Sequence, residues 1–114
     1  MNPLVQATET DMYEYWSGAP AGPTAERDAF HLRMTRWLRA AGVTLVAGSD
    51  AGIFTNVPGL SLVEELELMV AAGLTPFDAL KAATDAPAQV LGRKGLDGCA
   101  LEGCAADLVL YACN

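Results

Sequence analysis

The run GVTLVAGSDAG, residues 42–52, constrains the fold of this 114-residue chain more than any other stretch. Val43 to Gly48 is an almost unbroken apolar segment, and it leads into one carboxylate, Asp50, between glycines at 48 and 52. Continuous apolarity over so short a run predicts a strand buried on both faces, the habit of parallel sheets. Carboxylates at the C-terminal ends of such strands lie where α/β folds build their sites. Asp50 is therefore the leading candidate for chemistry. One strand cannot form a sheet by itself, so its neighbours are expected to lie elsewhere.

The length suits one small domain. Hydrophobic residues make up 52% and mean hydropathy is +0.24, which is oily for a chain with so much surface to cover. The excess is expected either to pack against a partner chain or to belong to a larger fold. No apolar run approaches the ~20 residues that span a bilayer, and the N-terminus lacks a basic region followed by an apolar core, so no membrane is expected. A net charge of −7 argues against nucleic acid as a partner. Cys99, Cys104 and Cys113 form no regular framework, so free thiols in a reducing, cytoplasmic setting are expected. Their spacing fits no zinc knuckle or ribbon.

Pro3, Gly18, Pro20, Gly22 and Pro23 predict an irregular segment over residues 1–23. Within it Met12, Tyr13, Tyr15 and Trp16 are expected to anchor a loop on the core, with one wall of a substrate pocket as the alternative. Thr24 is a good N-cap, with Glu26 in the first turn. Phe30, Met34, Trp37, Leu38 and Ala41 then make one apolar stripe before Gly42 stops the helix. Arg27, His31, Arg33, Arg36 and Arg39 take the remaining faces, and His31 is expected at a rim or in solvent rather than as a ligand. After a loop, Ser61 and Glu64 form a capping box. The helix it opens carries Leu62, Leu66, Met69 and Val70 on one face, a solvated set of Glu64, Glu65 and Glu67, and Gly73 as its stop. Thr75-Pro76 predicts the N-cap and first position of the next helix, and Asp85-Ala86-Pro87 a short one ending near Gly92. Gly103 and Leu108–Tyr111 predict a turn and a strand.

Two other readings of the Asp50 loop fail on context. A nucleophile elbow needs a helix directly after the turn and a later histidine. Here Pro58 and Gly59 push the helix back, and no histidine follows Asp50. A phosphate-cradling loop carries Gly-Lys-Ser/Thr and no central carboxylate.

From about Thr24 to Ala112 the chain resembles the C-terminal end of metal-dependent amidohydrolases, in particular the imidazolonepropionase-like and prolidase-like branch. The resemblance is carried by Gly42-Val43 leading into Ala47–Gly52, by Ser61–Pro76, by Ala79–Thr84 and Ala88–Gly92, and by Gly98, Gly103 and Ala106–Leu110, in that order and spacing. The family usually has Pro-Gly-Lys where this chain has Glu102-Gly103-Cys104, a change confined to a turn.

The resemblance implies an α/β fold: the last βα units of a (β/α)8 TIM barrel, incomplete in this chain. Residues 24–97 are then the terminal barrel portion, residues 1–23 an irregular segment, and residues 98–114 a C-terminal β segment returning to the family's small β-sandwich. It implies hydrolysis of C–N bonds in small-molecule amides, non-peptide or dipeptide, by water activated on a divalent metal, zinc foremost. On that resemblance Asp50 is a metal ligand and the catalytic proton carrier. Ser49 and Gly52 shape its loop, and Tyr13, Tyr15 and Trp16 could line the approach. The family's His-x-His pair has no counterpart, and His31, Lys81 and Lys94 lie on predicted helices or in a loop. A catalytic zinc takes three protein ligands. The chain is therefore expected to be a fragment or shortened relative, inactive alone. The alternative is a catalytically silent small α/β protein acting by homo-oligomerisation or by association with the missing barrel portion.

Overall fold

Local chemistry sets the helix ends. In the computed structural model, which describes residues 3–18, 24–52 and 56–110, the helices are α1 (Pro3–Ser17), α2 (Thr24–Ala40), α3 (Leu60–Ala71), α4 (Pro76–Ala83) and α5 (Asp85–Val90). After α3, Gly73 at φ 103° lets the chain turn back. Its N–H donates to Val70 O (2.9 Å), and Leu74 N–H donates to Met69 O (3.1 Å). This double closure satisfies the orphan carbonyls of the last turn and brings Leu74 onto Met69. The same pair of bonds ends α2 around Gly42 and α5 around Gly92. At the start of α4, Thr75 caps as expected, its Oγ1 accepting from Asp78 N–H at 3.1 Å.

Met69, Leu74, Ala79 and Ala82 form the buried cluster, and Leu45, Ala47 and Leu66 pack against it. Helix α3 packs on α2 and α4, and α4 on α5. The core is small, and the Cα radius of gyration of 17.2 Å exceeds the ~13 Å of a compact chain this long.

Several expectations need correcting. Residues 3–17 are helical, not irregular. Gly18 and the later breakers all follow this helix, and from Leu4 to Ser17 the sequence holds neither Gly nor Pro. Residues 19–23 lie outside the described residues. Among the described residues α1 packs on no other helix. Tyr13, Tyr15 and Trp16 are exposed on it and only Met12 of the expected cluster is half-buried, so the three rings do not anchor a loop on the core. The apolar stripe of α2 also points outward, with Trp37 62% exposed. It is Ala29, Leu32 and Thr35 that are half-buried instead. Arg36 and Arg39, expected on faces away from the core, do the docking. Arg36 Nε donates to Ala72 O at 3.0 Å, Arg39 Nη1 to Gly73 O at 3.1 Å, and Arg39 Nη2 to Asp78 Oδ2 at 2.6 Å. The capping box is absent. Helix α3 starts two residues early, with Gly59 rather than Ser61 as N-cap, and Ser61 turns inward, 6% exposed, its Oγ donating to Val57 O at 2.9 Å.

Residues 43–50 form no regular secondary structure, and among the described residues no β-strand occurs. Burial alternates along the segment: Leu45, Ala47 and Ser49 are half-buried, while Thr44, Val46 and Gly48 are exposed. One face is covered, not two. Residues 105–110 are likewise irregular and exposed, not a strand, with Tyr111 outside the described residues. Finally, Cys99 and Cys104 are joined in a disulfide, Cα–Cα 6.0 Å. The turn at Leu101–Gly103 brings them together, which overturns free thiols for this pair and removes their support for a reducing compartment. Cys113 lies outside the described residues.

Two predictions arise here. Gly98 has φ 68°, and a Cβ on it would lie 2.2 Å from Thr84 O. Backbone cannot yield as a flexible side chain does, so Gly98→Ala is expected to cost more than ~1 kcal/mol in urea unfolding, with faster hydrogen exchange over residues 93–105. The Asp78 carboxyl is held below its ordinary range by the Thr75 side-chain bond and then by the Arg39 guanidinium. A depressed folded-state pKa contributes stability above the unfolded value, 3.8, that is lost as pH falls below it. Asp78→Asn is therefore expected to flatten the stability profile below about pH 4, measured by thermal unfolding from pH 6 to pH 2.

Candidate functional site

Asp50 stands at the C-terminal end of segment 43–50. Leu45 and Ala47 fix that segment on the buried cluster, and Ala47 N–H donates to Ala82 O at 2.8 Å. Asp50 itself is left-handed, φ 47°. That backbone costs an ordinary L-residue about 1–2 kcal/mol, although Asp tolerates it better than most. It persists where the surroundings hold it. Here Asn56 Nδ2 donates to Ser49 O at 2.9 Å, and Gly52 N–H donates to Asn56 O at 3.2 Å. The expected loop-shaping by Ser49 and Gly52 thus runs through their backbones.

The Asp50 side chain is exposed and borders a cleft of about 280 Å³ with Ser49, Asn56, Ser61, Glu64 and Glu65. Three carboxylates therefore share one cleft. Even so, among the described residues no group of three His, Cys, Asp or Glu side chains could hold a metal ion. A lone carboxylate does not meet a divalent ion's coordination needs, so these residues alone do not fit one. A carboxylate within reach of solvent can instead accept, hold and return a proton.

Tyr13, Tyr15 and Trp16 do not line this cleft. His31 is exposed, with its ring 5.9 Å from that of Phe30, in keeping with a rim residue. It lines a larger groove of about 530 Å³ together with Asp28, Leu32, Leu45, Glu65 and Met69. That groove is apolar for the most part and does not include Asp50. Helix α3 begins at Leu60, well past the turn, as the rejection of a nucleophile elbow requires. Nothing in the sequence singles out Asn56, and Ser61 is singled out only as a helix cap. Asn56 is a loop amide before Pro58-Gly59, and the only hint is an amide that can both donate and accept.

The family model described as "Amidohydrolase family" matches residues 28–113. An imidazolonepropionase of Chromobacterium violaceum is 38% identical over 79 residues, covering 65% of this chain and 18% of that relative. The chain thus spans under a fifth of the curated relative's length. No solved structure matches it. No helix among the described residues is long and apolar enough to cross a membrane.

Proposed function

Because this chain belongs to the amidohydrolase family, we propose that it supplies the last strand-and-helix portion of a (β/α)8 hydrolase, and with it the acid–base carboxylate Asp50. The observation that carries this reading is the state of segment 43–50. One face lies on the helical core, the other is exposed, and a left-handed aspartate sits at the C-terminal end. A barrel's last strand has this form when its neighbours are taken away: helices outside, a bare inner face, and the reacting group at the top. Residues 24–97 are the barrel portion in this proposal, and residues 98–114 return toward a second domain.

The substrate class is a small molecule with a C–N bond to an acyl or amidine-like carbon. Water adds to that carbon, the carbon–nitrogen bond breaks, and Asp50 takes the water's proton and returns it to the departing nitrogen. In a complete site a divalent metal would supply Lewis acidity. Asp50 would be the one donor to it from this chain, the others coming from the barrel portion that completes the fold.

A second reading, a silent protein that works by self-association, draws support from the outward apolar stripe of α2. One experiment separates the two. Residues 24–110 are grafted into the Chromobacterium violaceum imidazolonepropionase in place of its matching segment. Restored imidazolonepropionase activity supports the hydrolase reading. A folded but inert graft, with the isolated chain sedimenting as an oligomer, favours the second.

A further inference from the structure

We propose that Asn56 is a positioning residue for Asp50: its side-chain amide and its own carbonyl together hold the left-handed turn from which the Asp50 carboxylate projects. The role presupposes Asp50 as the working carboxylate, but the geometry can be tested without any turnover.

An L-residue at φ 47° relaxes toward extended or right-handed backbone unless the chain on either side is held. Both sides of Asp50 are held by one residue. Asn56 Nδ2 donates to Ser49 O at 2.9 Å, one residue before, and Asn56 O accepts from Gly52 N–H at 3.2 Å, two residues after. Ser49 and Asn56 are half-buried, so water competes poorly for the bond between them, while Gly52 is exposed. Asn56 is in turn anchored. The next carbonyl, Val57 O, accepts from both Ser61 N–H (3.0 Å) and Ser61 Oγ (2.9 Å). Ser61 is buried in the first turn of α3, and α3 is fixed on the core through Met69. A continuous line of bonds thus runs from a rigid helix to both flanks of Asp50.

The residue type follows from the task. The position needs an N–H donor short enough to reach Ser49 O, and the donor has to be neutral. A Lys or Arg donor would pair with the Asp50 carboxylate and weaken it as a proton acceptor. A carboxylate would face the Ser49 carbonyl oxygen without a proton to share.

The test is NMR on the 114-residue chain with Asn56→Ala and the near-isosteric Asn56→Asp. Asp50 Cα and Cβ shifts report its backbone, Gly52 amide exchange reports the strap, and Ala79 and Ala82 shifts report the core. The expected result is loss of the left-handed signature at Asp50 in both variants. Gly52 exchange should rise about fivefold, the loss of roughly one hydrogen bond, while the Ala79 and Ala82 shifts stay put. Retention of the Asp50 signature in either variant would overturn the proposal. So would core shifts that move together with Asp50 in both, since Asn56 would then merely hold the fold. Failure of the hydrolase reading shows elsewhere, as an inert graft with the Asp50 turn intact.

Discussion

Asp50→Asn, in the grafted enzyme carrying residues 24–110, is expected to lower kcat by about 10²- to 10⁴-fold, the range for losing a positioned general base. The substitution keeps the size and hydrogen-bonding reach of the side chain and removes its charge and its capacity to take a proton. The backbone should not move. Asn, like Asp, is among the residues that enter left-handed backbone most readily, and the side chain is exposed, so no packing is lost. Far-UV circular dichroism and the urea midpoint of the variant should therefore match the parent graft. Steady-state hydrolysis is the deciding measurement. Turnover within a few-fold of the parent would remove Asp50 from the mechanism, whatever its place at the end of segment 43–50.

The second large effect concerns the core. Met69 is 6% exposed and belongs to a cluster with Leu74, Ala79 and Ala82, on which Leu45 and Ala47 also rest. Truncation to Ala is expected to cost about 2–4 kcal/mol, from lost transfer energy and the cavity left behind. In a chain whose other core members are mostly alanines, little can move in to refill the space. The loss falls on two contacts at once: the α3–α4 packing and the seat of the segment that carries Asp50. Urea unfolding followed by circular dichroism measures it, with Leu110→Ala as the control. Leu110 is 98% exposed, so that change should stay within ~0.5 kcal/mol. Equal midpoints for the two variants would mean that the cluster around Met69 is not what holds the chain together.

These effects were unequally legible in the sequence. Thr75-Pro76, Gly42, Gly73 and Gly92 could be read directly, because caps and stops depend on a few neighbouring backbone groups. The proposal of Asp50 starts from a local pattern, an apolar run that ends in a carboxylate between glycines. The α2 stripe was visible, but its orientation was not. Periodicity says that Phe30, Met34 and Trp37 share a face, not which face meets α3. That was decided by Arg36 and Arg39, whose guanidinium groups reach carbonyls more than thirty residues away. Ser61 shows the same limit. A serine three residues before a glutamate satisfies the capping pattern, yet the helix began two residues earlier and turned the serine inward. The pairing of Cys99 with Cys104 followed from a turn whose closure composition could not reveal.

The sequence by itself determined the helix stops at Gly42, Gly73 and Gly92 and the family to which the chain belongs, since each depends on residue types at short spacing. Tertiary structure alone decided which face of α2 is covered, that segment 43–50 is packed on one side and open on the other, and that Asn56 straddles Asp50. Those outcomes rest on contacts between residues far apart in the chain. Their energies depend on distance and burial, which no local pattern encodes.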